Sequence, residues 1–216
     1  MKKLFFLLIA VLSTVAIIAQ EKTEEFEYKS LFSGEGTVSH GGYGGFTSAY
    51  TQVAGRDAYL SGGKGAWILD HRFAIGGAGY GFNTLAKTDA LLNNDYSFSG
   101  GYGGLLIEPI IFPGKAIHIT IPVLVGAGGI TYSQSNYYDE YWGEYYEDAQ
   151  AYFVIEPGIE IEFNVVKYFR MAIWGAYRYT SDINLLYSAT NAPITGTDKG
   201  MLRGFSAGLT FKFGKF

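Results

Sequence analysis

The chain has 216 residues, of which 17% are charged and 17% aromatic, with 30 Gly and no Cys. Charge is scarce beside the ~25% of an ordinary soluble domain and Gly is about twice its usual ~7%, while a formal net charge of −4 leaves no basic surface for nucleic acid. The missing Cys excludes disulfide frameworks, thiolate metal centres, Cys nucleophiles and the lipid anchor of a lipoprotein.

Met1-Lys2-Lys3 is a basic start, and residues 4–18 are an apolar run broken only by Ser13 and Thr14. Ala19-Gln20 then leads into Glu21-Lys22-Thr23-Glu24-Glu25. This order reads as a secretory signal peptide over 1–19, because the run is short for a helix crossing a ~30 Å hydrocarbon core. Residues 20–36 follow as an acidic periplasmic lead-in, and 37–216 as the folded domain.

From Thr37 onward, short alternating segments are separated by turn signals. Eight strands are predicted, over 38–52, 58–69, 73–82, 96–112, 116–132, 150–163, 169–180 and 201–213. The sixth is the clearest. Phe153, Ile155, Pro157, Ile159, Ile161 and Phe163 take one face, and Glu156, Gly158, Glu160 and Glu162 the other. The seventh opposes Phe169, Met171, Ile173, Tyr177 and Tyr179 to Arg170, Ala172, Ala176 and Arg178. Connections at 70–72, 113–115 and 164–168 are tight, whereas 83–95, 133–149 and 181–200 are long and polar. The pattern describes an all-β, eight-stranded up-and-down antiparallel barrel.

Charge decides which face meets lipid. The predicted strands carry only Lys64, Glu108, Glu156, Glu160, Glu162, Arg170, Arg178, Arg203 and Lys212. The exterior of a soluble barrel needs charges on nearly every strand, and the first, third and fifth have none. Placed inward, Glu108, Glu156, Glu160 and Glu162 balance Lys64, Arg170, Arg178 and Lys212 as a structural lumenal network, since unpaired charges in a dry interior are prohibitive. Arg203 falls on the lipid phase at the loop end of its strand, where a cation is cheap. Aromatic girdles are expected at both edges: Tyr96, Tyr132, Tyr152 and Tyr179 towards the loops, and Trp67, Phe73, Phe112, Phe163 and Phe169 towards the turns. The domain is therefore a transmembrane barrel.

The signal peptide, the alternating strands and the closing Leu209-Thr210-Phe211-Lys212-Phe213-Gly214-Lys215-Phe216 resemble small outer-membrane β-barrel proteins. The stretch from Glu156-Pro157-Gly158-Ile159-Glu160 to Tyr177-Arg178-Tyr179 is similar to barrels common in Bacteroidetes-type bacteria. The resemblance implies a cell outer-membrane location, outer-membrane lipid as surroundings, and assembly machinery that reads the closing aromatic residues Phe211, Phe213 and Phe216. Phe216 departs from the pattern, being out of phase with Phe213 and Phe211. Either the signal ends at Phe213 or Gly214 forms a bulge.

Several constellations carry chemistry in other settings. Glu108-Pro109 and Glu156-Pro157 each place a carboxylate inward beside a Pro. They read as a structural device, since Pro removes a ladder donor and marks a bulge or bend. The lipid A-modifying reading needs a nucleophile or acid–base group beside a His. Ser39-His40, His71 and His118-Ile119-Thr120 are the candidates, and no nucleophile–His–carboxylate set assembles from strand geometry. Gly-rich runs such as 41–45 and 76–81 lack the strand-to-helix context of a phosphate loop. Eight strands enclose an interior that side chains fill, which excludes a porin.

The loop 133–149 is the interaction candidate. Tyr137, Tyr138, Asp139, Glu140, Tyr141, Trp142 and Tyr145 combine acids with aromatic contact area that costs little entropy to fix. No EF-hand spacing is present, and neither metal nor cofactor is expected. The sequence points to a non-enzymatic, monomeric barrel with a structural or surface-interaction role and an extracellular or envelope partner. A lipid A-modifying enzyme and a soluble lipocalin-like carrier are the alternatives.

Overall fold

The computed structural model describes residues 39–135 and 146–216. The expected signal peptide, the lead-in and all seven residues singled out in the surface loop lie outside the described residues.

The described chain is a closed antiparallel barrel. Its strands are β1 (His40–Val53), β2 (Arg56–Leu69), β3 (Phe73–Thr84), β4 (Lys87–Asp89), β5 (Asn94–Ile111), β6 (Ile117–Thr120), β7 (Val123–Gln134), β8 (Tyr146–Val166), β9 (Phe169–Thr180) and β10 (Gly204–Lys215). Successive staves pair antiparallel, β3 directly with β5, and β1 also pairs with β10 to close the ring. β4 is a short spur on β5 above the barrel. β6 and β7 are two halves of one stave, so the ring has eight members. The fold is the eight-stranded up-and-down transmembrane β-barrel. Spanning strands of this kind need ~9–11 residues, and each uninterrupted stave has at least 12.

The period of two produces the two faces. On β8, Phe153, Ile155, Ile159 and Ile161 are exposed, while Tyr152, Val154, Glu156, Glu160 and Glu162 are buried. An apolar exterior and a polar-and-apolar interior follow from that alternation alone.

Pro122 divides the fifth predicted strand. It has no N–H to continue the ladder, and the sheet is stitched across the break by Ile121 N donating to Pro109 O (3.0 Å) and Gly158 N donating to Pro122 O (2.8 Å). At the other end of the barrel, β10 begins at Gly204 rather than 201, because Met201 and Leu202 turn inward and are buried. Gly214 forms no bulge: Tyr43 pairs with Gly214 and Gly42 with Lys215 without a register shift. Phe216 therefore stays on the lumenal side. It stacks on Tyr43 (ring centroids 6.2 Å apart), and the Arg170 guanidinium lies 3.9 Å from its ring centroid.

The loop-side girdle needs correction. Tyr96, Tyr132 and Tyr152 are almost fully buried in the lumen, leaving only Tyr179 of the four exposed. Their strand parity points them inward. The exposed aromatics at that edge are Tyr50, Tyr59, Phe153 and Phe205 in addition.

Glycine serves two distinct ends. A Cβ on inward Gly128 would meet Tyr102 Cβ at 2.6 Å and Tyr152 Cζ at 2.7 Å, so its absence makes room for two rings. Outward Gly79, Gly81 and Gly129 have no atom nearer than 3.8 Å to such a Cβ. They leave the loop-side half of the β3–β7 wall free of large side chains, whereas the β8–β10 wall bears Phe153, Ile159, Ile173 and Phe205.

Candidate functional site

The lumen is stacked in layers. Nearest the short turns, Tyr43, Ala66, Ile68, Ala74 and Ile110 form a small apolar floor with Phe216 packed on it. Above them lies the charge layer. Lys212 Nζ is 2.6 Å from Glu108 Oε1 and 2.8 Å from Glu160 Oε2, and it also binds Glu162. Lys64 binds Glu160 and lies 3.7 Å from Glu108 Oε2. Arg170 Nη1 is 3.3 Å from Glu162 Oε2, which His118 Nε2 also reaches at 2.9 Å. Tyr43 donates to Glu108 Oε2 (2.7 Å). Three carboxylates thus face three permanent cations, and every carboxylate is hydrogen-bonded. This is the condition under which buried charge is tolerated.

The same three glutamates offer carboxylate oxygens within 4.8 Å of one another, a spacing a metal ion would accept. The Lys212 ammonium stands between them instead. The layer is an ion-pair network whose cation is supplied by the chain.

Glu156 and Arg178 form a separate unit nearer the loops. Tyr102 joins them, donating to Glu156 Oε2 (2.6 Å) and lying 3.5 Å from Arg178 Nη1. Arg178 is fully buried and donates through Nε to Leu202 O (2.7 Å) and through Nη2 to Gln52 O (3.3 Å) and Thr51 Oγ1 (3.4 Å). It ties the last spanning connection to the first hairpin. All eight charged residues singled out for the lumen are buried: six of them meet in one layer, and the other two in this unit.

The loop mouth is covered by the connection after β9, long and polar in sequence, which turns an apolar edge inward. Ile183, Leu185, Tyr187, Ile194, Met201 and Leu202 are buried and join Val53, Leu60, Phe98, Ile130 and Tyr132 in one apolar cluster. Ile183, Leu185 and Tyr187 alternate in the sequence, and that short period-two run was the available signal. The cover is gripped from the stem of the acidic loop. Glu147 Oε2 accepts from Ser188 N (3.0 Å) and Ser188 Oγ (2.8 Å), Asp148 Oδ2 from Leu186 N (2.8 Å), and Gln150 Oε1 from Asn184 N (2.6 Å). Acceptors on β8 thus satisfy the alternate N–H groups of 184, 186 and 188.

Asp89 anchors the cover from the opposite side. Its Oδ2 accepts from Tyr187 OH (2.7 Å) and Tyr132 OH (2.8 Å), and its Oδ1 from Leu91 N (2.9 Å) and Leu92 N (3.3 Å). Burial alone would raise its pKa, but these four hydrogen bonds to the charged form outweigh it and hold the carboxyl below its ordinary value.

The histidines are dispersed. His40 stacks on Trp67 with ring centroids 5.3 Å apart, His71 sits in the β2–β3 turn, and His118 is committed to Glu162. Thr120 Oγ1 donates to Glu160 at 3.4 Å rather than to His118. At the closing strand, Phe213 is exposed and Phe211 half-buried on the outward face, while Phe216 is turned inward.

No protein-family model matches the chain, and no curated protein sequence does. Solved structures do. Neisserial surface protein A (NspA) superposes with a TM-score of 0.52 at 8% identity, covering 84% of this chain and 100% of that one. The amino-terminal β-barrel domain of Pseudomonas aeruginosa OprF gives 0.43 at 12% identity, over 82% and 99%. Ail of Yersinia pestis, in complex with a heparin analogue, gives 0.44 at 10% identity, over 83% and 99%. The chain has the fold of a small outer-membrane β-barrel.

Proposed function

We propose that the protein is an integral outer-membrane barrel that acts without catalysis, as a structural or surface-interaction protein whose contact element is the acidic, aromatic loop 133–149. The packed interior carries this reading. Layers of apolar side chains, paired charges and a gripped cover fill the barrel from turn to mouth, so what remains for a partner is what the barrel displays beyond the membrane. The stem residues Glu147, Asp148 and Gln150 are fixed against the cover, giving the loop between 136 and 145 a rigid base. Tyr137, Tyr138, Asp139, Glu140, Tyr141, Trp142 and Tyr145 supply the contact surface, outward Phe211 and Phe213 the assembly signal, and the closed ring the monomer.

Deleting 136–145 while keeping Tyr146–Gln150 tests the reading. The variant should still reach the outer membrane, still show heat-modifiable gel migration, and lose its envelope or extracellular partner in a pull-down. Retained capture of the same partner overturns it. Replacing His40, His71 and His118 one at a time should leave the lipid A profile of the cells unchanged, and an altered profile revives the enzyme.

A further inference from the structure

The outer wall carries a feature that neither the lumen nor the loop accounts for. At the loop edge, a cavity of about 520 Å³ is lined by Tyr50, Gln52, Tyr177, Arg203 and Phe205. Two apolar hollows adjoin it. One of about 630 Å³ runs between Tyr50, Tyr59, Leu85 and Leu209, and shares Tyr50 and Ala207 with the first cavity. The other, about 510 Å³, lies along Pro157, Ile159 and Gly175, and shares Tyr177, Phe205 and Ala207 with it. Strand register explains the relief. Tyr50 pairs with Ala207, Ala207 with Gly175, and Gly175 with Ile159, so one outward row reads large, small, small, large.

The cavity also holds the one charge that the sequence places on the lipid phase. Arg203 precedes the first residue of β10, and its guanidinium is held at the rim by Nη2 donating to Asp182 Oδ1 (2.7 Å) and Nε donating to Thr180 O (3.1 Å). Its side chain stays 40% exposed. With Nε and Nη2 committed to Thr180 and Asp182, Nη1 is the nitrogen left to face a phosphate oxygen. Around it, Gln52 Nε2 and the Tyr50 hydroxyl are tied to each other and to Asp57, which leaves the Gln52 carbonyl and the Tyr177 hydroxyl to meet a ligand. Asp57 and Asp182 add acceptors for hydroxyl groups.

We infer that Arg203 and the two hollows meeting at Ala207 form a docking site for one phosphorylated, multiply acylated glycolipid of the outer leaflet. The phosphate lies against Arg203, the sugar hydroxyls meet the Gln52–Asp57 side, and two acyl chains part around Ala207 into the two hollows. A guanidinium above two divergent apolar troughs, steadied by Asp182 and with one nitrogen left over, complements an amphiphile with one anionic head and several chains. The site rests on the outer-membrane reading, which puts the loop edge in the glycolipid leaflet. It is independent of the 136–145 loop.

Native mass spectrometry of the full-length barrel in detergent tests the site against three probes: a bis-phosphorylated acylated disaccharide, its dephosphorylated form, and phosphatidylethanolamine. The parent should retain the phosphorylated glycolipid at one equivalent, at least tenfold more tightly than either other probe. R203Q should lose that preference for phosphate. A207F fills the junction from outside the barrel and should weaken both glycolipids, while heat-modifiable migration shows that each variant folds. Equal retention of phosphatidylethanolamine, or unchanged retention in both variants, overturns the site and reduces these hollows to ordinary lipid contact. The 136–145 deletion should bind the glycolipid normally, which separates failure of this site from failure of the loop.

Discussion

Lys212 Nζ lies 2.6 Å from Glu108 Oε1 across the lumen, with both side chains about 1% exposed. The two residues are on β10 and β5, on opposite sides of the ring, so the pair braces the barrel across its width. The same ammonium satisfies Glu160 and Glu162.

Removing that ammonium takes a cation from all three carboxylates at once and leaves Lys64 and Arg170 to balance three buried charges. Breaking one buried pair costs about 3–5 kcal/mol, so K212M should lower the urea midpoint strongly or prevent folding into micelles. Adding E108Q to K212M leaves two carboxylates facing two cations and should recover part of the loss. The measurement is urea unfolding followed by gel migration. A K212M barrel as stable as the parent would show that the pairs contribute nothing.

Arg178 performs a different task, joining Leu202 O and Gln52 O through a single guanidinium. Replacing it by Met leaves buried acceptors without donors, at about 1–3 kcal/mol each. Lysine cannot repair this, because a point charge lacks the planar fork that reaches several acceptors. Both R178M and R178K should therefore let the 181–203 cover open, seen as faster protease cleavage there while the eight staves keep their migration. Cleavage at the parent rate in either variant would remove this role.

The staves were legible because a membrane barrel writes its faces into alternate positions. Ile155, Glu156, Ile159 and Glu160 declare their sides without any tertiary information. Residue type misleads where it disagrees with parity: Tyr132 and Tyr152 suit an interfacial girdle by type, yet their alternation points them inward, where they are buried. In the run 121–122, Pro122 signals a break only once its lack of a donor is set against the neighbouring ladder. The cover was harder still, because Ile183, Leu185 and Tyr187 form too short a run to outweigh the polar residues around them. The grip of Glu147 and Asp148 on 186 and 188 is a contact between distant segments, and no local pattern encodes it. The hollows around Ala207 arise from register across four strands, which one strand's sequence does not contain.

Acid should release the cover through Asp89. Its carboxyl is held below the ordinary value by Tyr187, Tyr132 and two backbone N–H groups. A depressed carboxyl contributes stability that is fully present above its unfolded pKa and lost as pH falls through the folded one. With an unfolded Asp near ~3.9, the contribution should be intact at neutral pH and decline only below about pH 4. Limited proteolysis of 181–200 across pH 3–7 should show that onset. D89N should give a more open cover at pH 7 and a smaller further change on acidification, the remainder coming from the Glu147 and Asp148 carboxylates that also hold the cover. An onset at neutral pH, or the same acid response in D89N, would assign the effect to another group.

Gly126 and Gly129, three residues apart on β7, should respond oppositely to the same substitution. A Cβ at inward Gly126 would lie 2.7 Å from Gly104 Cα on the adjacent strand, a clash of backbone that cannot move aside. Overpacking of this kind costs about 1–3 kcal/mol and often more. At outward Gly129 the nearest atom would be Gln150 O at 3.9 Å, which is ordinary contact. G129A should fold as well as the parent, and slightly better, since alanine gives up less backbone freedom than glycine in a strand. G126A should lower the urea midpoint and slow insertion into micelles. Equal effects at both positions would mean that the neighbouring strand yields at Gly126 and that the close approach there carries no cost.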